Sequence, residues 1–289
     1  MTQVRARRSP GAIAAMWGGQ AVLGLVVALP AACVVSRAFG ADPRGDATLW
    51  DAGGHPLLVL LSRDSHAIGA ELCLTSIALV FAAVIGLLPM AALMVAMVSR
   101  TSGRCTVAYA AARSVRAFPA LAVLLGVALL AQGATVGAAW VSAKVVDLCV
   151  REASSEAGAD LIEAMVLLPF APLLGALAVV HDLARAAAVR FRMGAFGAAS
   201  LAFHALRRSA WSTAWGYTWR QVASLSAVLA GAVAAGALGG RRGGALVILT
   251  VVHQTVIGSR VALRASWLAQ ALRAVADGSR RDHAGLEPR

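Results

Sequence analysis

The chain has 289 residues, of which 59% are hydrophobic and 14% charged, with a net charge of +12. A soluble domain carries about 25% charged residues and about 45–50% apolar ones. The apolar excess here is blocky, in stretches of about twenty residues nearly free of charge, which excludes a water-soluble globule, a disordered chain and a disulfide-stapled secreted domain. Ala, Gly, Leu and Val dominate and aromatics are few, a composition suited to close packing between membrane helices.

In chain order, residues 1–10 are polar, with Arg5, Arg7 and Arg8 preceding an apolar run at 11–36. That run is too long for a signal-peptide core of about 7–15 residues, so it reads as an uncleaved first span. A loop at 37–68, rich in Asp and Gly, carries an apolar patch at 57–61. The second span is predicted at 69–98. The turn 99–116 contains Arg100, Arg104, Arg113 and Arg116 and no acid. The third span is predicted at 117–143, continuing as helix through Lys144 and Asp147; both spans exceed the roughly 20 residues a bilayer needs. An acidic connection at 149–160 leads to a fourth span at 161–182.

Residues 185–220 form a basic, amphipathic helical segment on the inner side. Met193, Phe196, Ala199, Phe203 and Leu206 recur at helical steps, with Arg190, His204 and Arg207 off that stripe. Trp211, Trp215 and Trp219 follow at i, i+4 and i+8, an interfacial aromatic belt. Arg190, Arg192, Arg207 and Arg208 are expected to face anionic lipid of the cytoplasmic leaflet. The fifth and sixth spans are predicted at 221–239 and 245–266 around a Gly-Arg turn, and 277–289 is a polar tail expected to be mobile.

Charge counting orients these spans. With the N-terminus inside, 19 of the 26 basic residues fall on inner segments, as do four of the 14 acids. The positive-inside rule therefore puts both termini in the cytoplasm. The expected fold is an all-α bundle of six transmembrane helices, a single domain over 1–276, plus the interfacial segment. Lys144 is the only lysine beside many arginines, which suggests a GC-rich bacterial genome and hence an inner membrane. Nucleic acid is not an expected partner, because no basic stretch is interleaved with base-stacking aromatics.

No catalytic pattern is found: HExxH, GxSxG and GxxxxGK[ST] are all absent from the sequence. Cys33, Cys73, Cys105 and Cys149 are far apart and the histidines do not cluster, so no metal or cofactor is expected. Cys33 and Cys149 fall toward the same outer surface.

The sharpest feature is a polar and charged cluster. Asp182 and Arg185 lie one turn apart, next to His181, at the inner end of span four. His253, Arg260 and Arg264 share a face of span six, with Gln254 adjacent. At 1.5 Å per residue Arg260 sits about 22 Å below residue 245, close to the depth of Asp182. Asp182 and an arginine thus form either an ion pair joining two helices or a relay or ligand site. His253 and Gln254, deeper in the hydrocarbon, serve as helix-to-helix glue or line a polar path.

Residues 152–169 resemble the EAA loop with which bacterial ABC-importer permeases dock their ATPase: Glu152, Ala153 and Gly158 match in spacing. Leu168-Pro169 arrives two residues early, Ser154 replaces the second Ala, and the charge count puts the segment outside, so the likeness reads as coincidental. More broadly, the layout resembles uncharacterised bacterial six-span membrane proteins. The likeness rests on the long first outer loop, His-Asp-Leu-Ala-Arg at 181–185 and Arg-Ala-Ser-Trp-Leu-Ala-Gln at 264–270. That resemblance implies an architecture and no mechanism. The expected function is a non-enzymatic scaffold or subunit for envelope proteins or lipids, with a membrane-protein partner. The alternative is a transporter or permease subunit with a polar path near His253, Gln254 and Arg260.

Overall fold

A computed structural model describes residues 10–39, 65–99, 106–150, 156–238 and 244–284. The loop patch at 57–61, the glycine-rich turn at 239–243, residues 1–9 and residues 285–289 lie outside them, as does Cys105. The described residues form eight helices and no strand: α1 (Pro10–Phe39), α2 (Ser65–Ser99), α3 (Val107–Val150), α4 (Glu156–Leu167), α5 (Phe170–Phe191), α6 (Ala195–Arg208), α7 (Ala210–Leu238) and α8 (Gly244–Ala284).

Five stretches are long and apolar enough to cross a membrane: Pro10–Pro30, Cys73–Ser99, Val107–Val150, Gly158–Phe191 and Ala210–Leu238. The protein is an all-helical membrane protein with several such helices.

Element boundaries differ from the sequence expectation at four places, each with a local cause. The arginine-rich turn 99–116 is shorter than expected, because α3 already starts at Val107; the Thr106 hydroxyl accepts the Tyr109 N–H at 3.2 Å, an N-cap contact. The fourth span is interrupted at Leu168-Pro169, since Pro169 has no N–H to give and its ring crowds the preceding turn. Leu168 still donates to the Ala164 carbonyl at 3.0 Å, so the last turn of α4 stays closed.

The segment 185–220 is not one amphipathic helix. Its first part completes α5, which ends where Arg192 turns left-handed at φ 56° and ψ 37°. Its middle is α6, and its tryptophans belong to α7. Finally, α8 does not give way to a mobile tail at 277 but continues to Ala284. Gly278 is buried against Ala205 of α6, and Arg208 donates to the Gly278 carbonyl at 3.1 Å.

Packing is concentrated at one end of the bundle. The core joins the end of α2 (Leu87, Leu93, Met94) to Leu121 of α3, Leu183 of α5 and Leu268 and Leu272 of α8. Met16 from α1 reaches the same cluster. Many apolar side chains of the spans are exposed, among them Leu25 and Leu29 of α1, Leu161 of α4, Leu173 of α5, and Leu225 and Val233 of α7. Their apolar surface is what a bilayer would cover.

In α6 the core-facing side is Ala198, Ala202 and Ala205, small residues that let the helix lie close to α5 and α8. Phe196 and Phe203 point the other way and are exposed, as are Trp211, Trp215 and Trp219 at the start of α7.

Candidate functional site: an arginine-lined cavity beside a buried ion pair

Asp182 lies in the α5 stretch His-Asp-Leu-Ala-Arg, on the face that packs against α8. It is 2% exposed. Burial of a lone carboxylate is prohibitive unless it is paired and hydrogen-bonded, and the partners come from α8. Arg264 Nη1 donates to Asp182 Oδ2 at 2.6 Å and Nη2 to Oδ1 at 2.5 Å, a bidentate fork. Trp267, one turn further along α8, donates its indole N–H to Asp182 Oδ2 at 2.9 Å. Its ring meets Tyr217 of α7 edge-on, with centroids 5.2 Å apart. One carboxylate thus ties α5 to α8, and the indole extends the contact to α7.

Arg185 completes the cluster on a weaker footing. Its Nη1 lies 3.7 Å from Asp182 Oδ1 and 3.7 Å from the Met90 sulfur, a soft acceptor. Its Nε is shut away from solvent with no hydrogen-bond partner. Asp182 therefore serves two guanidiniums, and the fork goes to Arg264. His181 is half-buried, and its Nε2 likewise lacks a partner.

Arg220, near the start of α7, is tied to α8. It donates to Ser266 Oγ at 3.2 and 3.1 Å and to Gln270 Oε1 at 2.7 Å, and it bonds back to the Gly216 carbonyl. Its guanidinium also stacks 4.6 Å from the centre of the Trp219 ring. Gly216 permits this geometry: a Cβ there would come within 2.4 Å of Gln270 Nε2.

Arg185, Arg220, Arg260 and Arg264 all line one cavity of about 700 Å³, walled otherwise by residues of α1, α2, α7 and α8. No carboxylate is among its lining residues.

The residues singled out from sequence thus divide. Asp182, Arg185 and Arg264 meet directly, with His181 alongside, and Arg260 joins them through the cavity. His253 and Gln254 are exposed and are not among the residues lining that cavity.

Two of the four arginines expected at lipid bond to α8: half-buried Arg190 donates to the Leu272 carbonyl at 3.3 Å, and Arg208, itself exposed, to the Gly278 carbonyl. Arg192 and Arg207 remain exposed. At the far end of α3 the expected Lys144–Asp147 pair is present at 3.7 Å.

Sequence reasoning missed Trp267, Met90, Arg220 and Gln270. The signal for Trp267 was there, since i, i+3 spacing from Arg264 puts both on one face. Met90 had none, because an apolar residue in an apolar span carries no polar pattern.

Among the described residues no three His, Cys, Asp or Glu side chains converge as a metal site. Cys33, Cys73 and Cys149 are exposed free thiols. Comparison of the chain with protein-family models, curated proteins and solved structures gives no match.

Proposed function

We propose that the chain is a non-enzymatic, multi-pass protein of a bacterial inner membrane. It crosses six times with both termini cytoplasmic and acts as a scaffold or subunit for envelope proteins or lipids. The observation that carries this reading is where the inner arginines go. Arg264, Arg190, Arg208 and Arg220 each reach an acceptor on another helix and fasten α5, α6 and α7 to α8. A relay or translocation path needs polar groups in continuous succession; the deeper pair His253-Gln254 is separate from this set. Purification of the intact protein from its native membrane, followed by mass spectrometry, tests the reading. A scaffold should retain a stoichiometric protein or lipid partner, and a chain recovered bare would count against it.

The cavity with Arg260 in its wall favours one second reading, a transporter or permease subunit. His253→Phe separates the two. A scaffold should tolerate loss of an exposed imidazole. A variant that assembles normally yet fails to complement a deletion would favour the transporter.

A further inference from the structure

The cavity has the charge and shape of an amphiphile site. Its polar part gathers Arg185, Arg220, Arg260 and Arg264, where the lining holds no acid. Asp182, behind the wall, is shared by Arg264, Trp267 and, at 3.7 Å, Arg185, so one carboxylate faces four guanidiniums, of which Arg260 alone is exposed. Arg220 has only neutral acceptors, Ser266, Gln270 and a backbone carbonyl. Arg185 is 9% exposed with an unpartnered Nε. Cations withdrawn from water without a counter-charge are costly, and an anion seated among them removes that cost.

Away from the arginines the α1 and α2 walls are mostly apolar, with Leu23, Val27 and Ala28 on α1 and Leu79, Ala83 and Leu87 on α2, while Gln20, Gln221 and Ser224 add neutral polar groups. Along α1 the lining runs from Met16 to Ala28. At 1.5 Å per residue that is about 18 Å, a little more than one leaflet of a hydrocarbon core about 30 Å thick. Gly24 and Gly86 border open space, since a Cβ at either position would meet nothing within 4 Å.

We propose that this cavity binds a phosphate-bearing acidic lipid. Its phosphate sits among the four arginines, and one acyl chain lies along the groove between α1 and α2. Arginine suits this role because its planar fork matches phosphate oxygens in pairs. The inference rests on the membrane-embedded reading above. It goes beyond a general affinity for anionic lipid at exposed arginines, because it names an internal site with defined walls.

The test is native mass spectrometry of the full chain released from detergent micelles that contain equal amounts of phosphatidylglycerol and phosphatidylcholine. The expected result is one retained phosphatidylglycerol, favoured over phosphatidylcholine by about tenfold or more, the scale of a hydrogen bond to a charged group. Arg260→Gln removes a guanidinium that projects from the α8 surface, and should lower retention about tenfold. Gly24→Phe fills the groove and should also displace the lipid. Lys144→Gln, in an exposed pair elsewhere, should change nothing.

Equal retention of the two lipids would overturn the proposal, as would full retention in both Arg260→Gln and Gly24→Phe. Displacement of the lipid by inorganic phosphate at equal concentration would identify a free-anion site and overturn the lipid assignment. The measurement is made in micelles, so its failure is separable from a failure of the membrane topology, which is read in cells.

Discussion

Asp182→Ala is the most informative single perturbation of the helix-joining ion pair. The carboxylate is 2% exposed and receives three hydrogen bonds, two from Arg264 and one from Trp267. Its removal strands the Arg264 guanidinium in a setting where breaking a buried pair costs about 3–5 kcal/mol. The orphaned indole N–H adds about 1 kcal/mol. Arg185, already short of partners, loses its only nearby carboxylate among the described residues. A destabilisation of about 4–6 kcal/mol is therefore expected, enough to unfold a marginal bundle.

The cycle partner is Asp182→Asn with Arg264→Gln, which preserves shape, removes both charges and leaves an amide oxygen for Trp267. That pair should recover about half or more of the loss, because a neutral pair carries no desolvation penalty. Swapping the charges should recover less: an arginine at 182 offers the indole no acceptor and lies one turn from Arg185. Thermal unfolding in detergent, followed by the loss of the monodisperse peak on gel filtration, measures all four proteins. If Asp182→Ala lies within about 0.5 kcal/mol of the parent, a scale typical of surface changes, the carboxylate is not a strut and the argument fails.

Reporter fusions or cysteine labelling should place residues near 45, 155 and 242 outside and those near 107, 205 and 283 inside. A cytoplasmic residue 155 would refute the topology and restore the permease reading of 152–169. Gly216→Val should push Gln270 off Arg220 and cost about 1–3 kcal/mol of thermal stability, the usual scale for overpacking; an unchanged melting curve would show that α7 and α8 have slack there. Arg208→Ala removes the donor to the Gly278 carbonyl, so amide exchange should quicken at 274–279 relative to 261–268, and identical exchange would mean that α8 does not depend on α6 in that region.

Depth along a helix is a simple function of residue number, and it matched Asp182 to the level of Arg260 while leaving open which arginine pairs with it; the fork comes from Arg264, one turn on. Two charges at matching depth on neighbouring apolar spans have few other places to go. Depth says nothing of azimuth: His253 shares a helical face with Arg260 and Arg264 by spacing, yet it is exposed and outside the lining of their cavity, because azimuth depends on how α8 rotates against its neighbours. Pro169 announced a break, yet hydropathy runs unchanged through it, so a window that averages polarity cannot register a missing N–H. The stripe expected from sequence divides: Phe196 and Phe203 are exposed, whereas Met193, Ala199 and Leu206 pack against the core. Which face packs was decided instead by Ala198, Ala202 and Ala205, because close approach to α5 and α8 needs small side chains. The fate of Arg190 and Arg208 was illegible, since their acceptors are backbone carbonyls, which every residue has.

The uneven distribution of packing has a mechanical consequence. The fully buried side chains of α2, α5 and α8 gather in one core, whereas α1 and α7, though paired with α2 and α8, keep many apolar side chains exposed. Side-chain burial is therefore deepest in that core and least along the exposed apolar faces of the spans. Where lipid tails are the neighbours, the spans can change tilt to suit a thicker or thinner bilayer, and the anchored end holds its arrangement while they do so. Bilayer thickness thereby acts on the spread of the loosely packed ends, leaving the ion pair and the arginine-lined cavity as the fixed point about which that spread occurs.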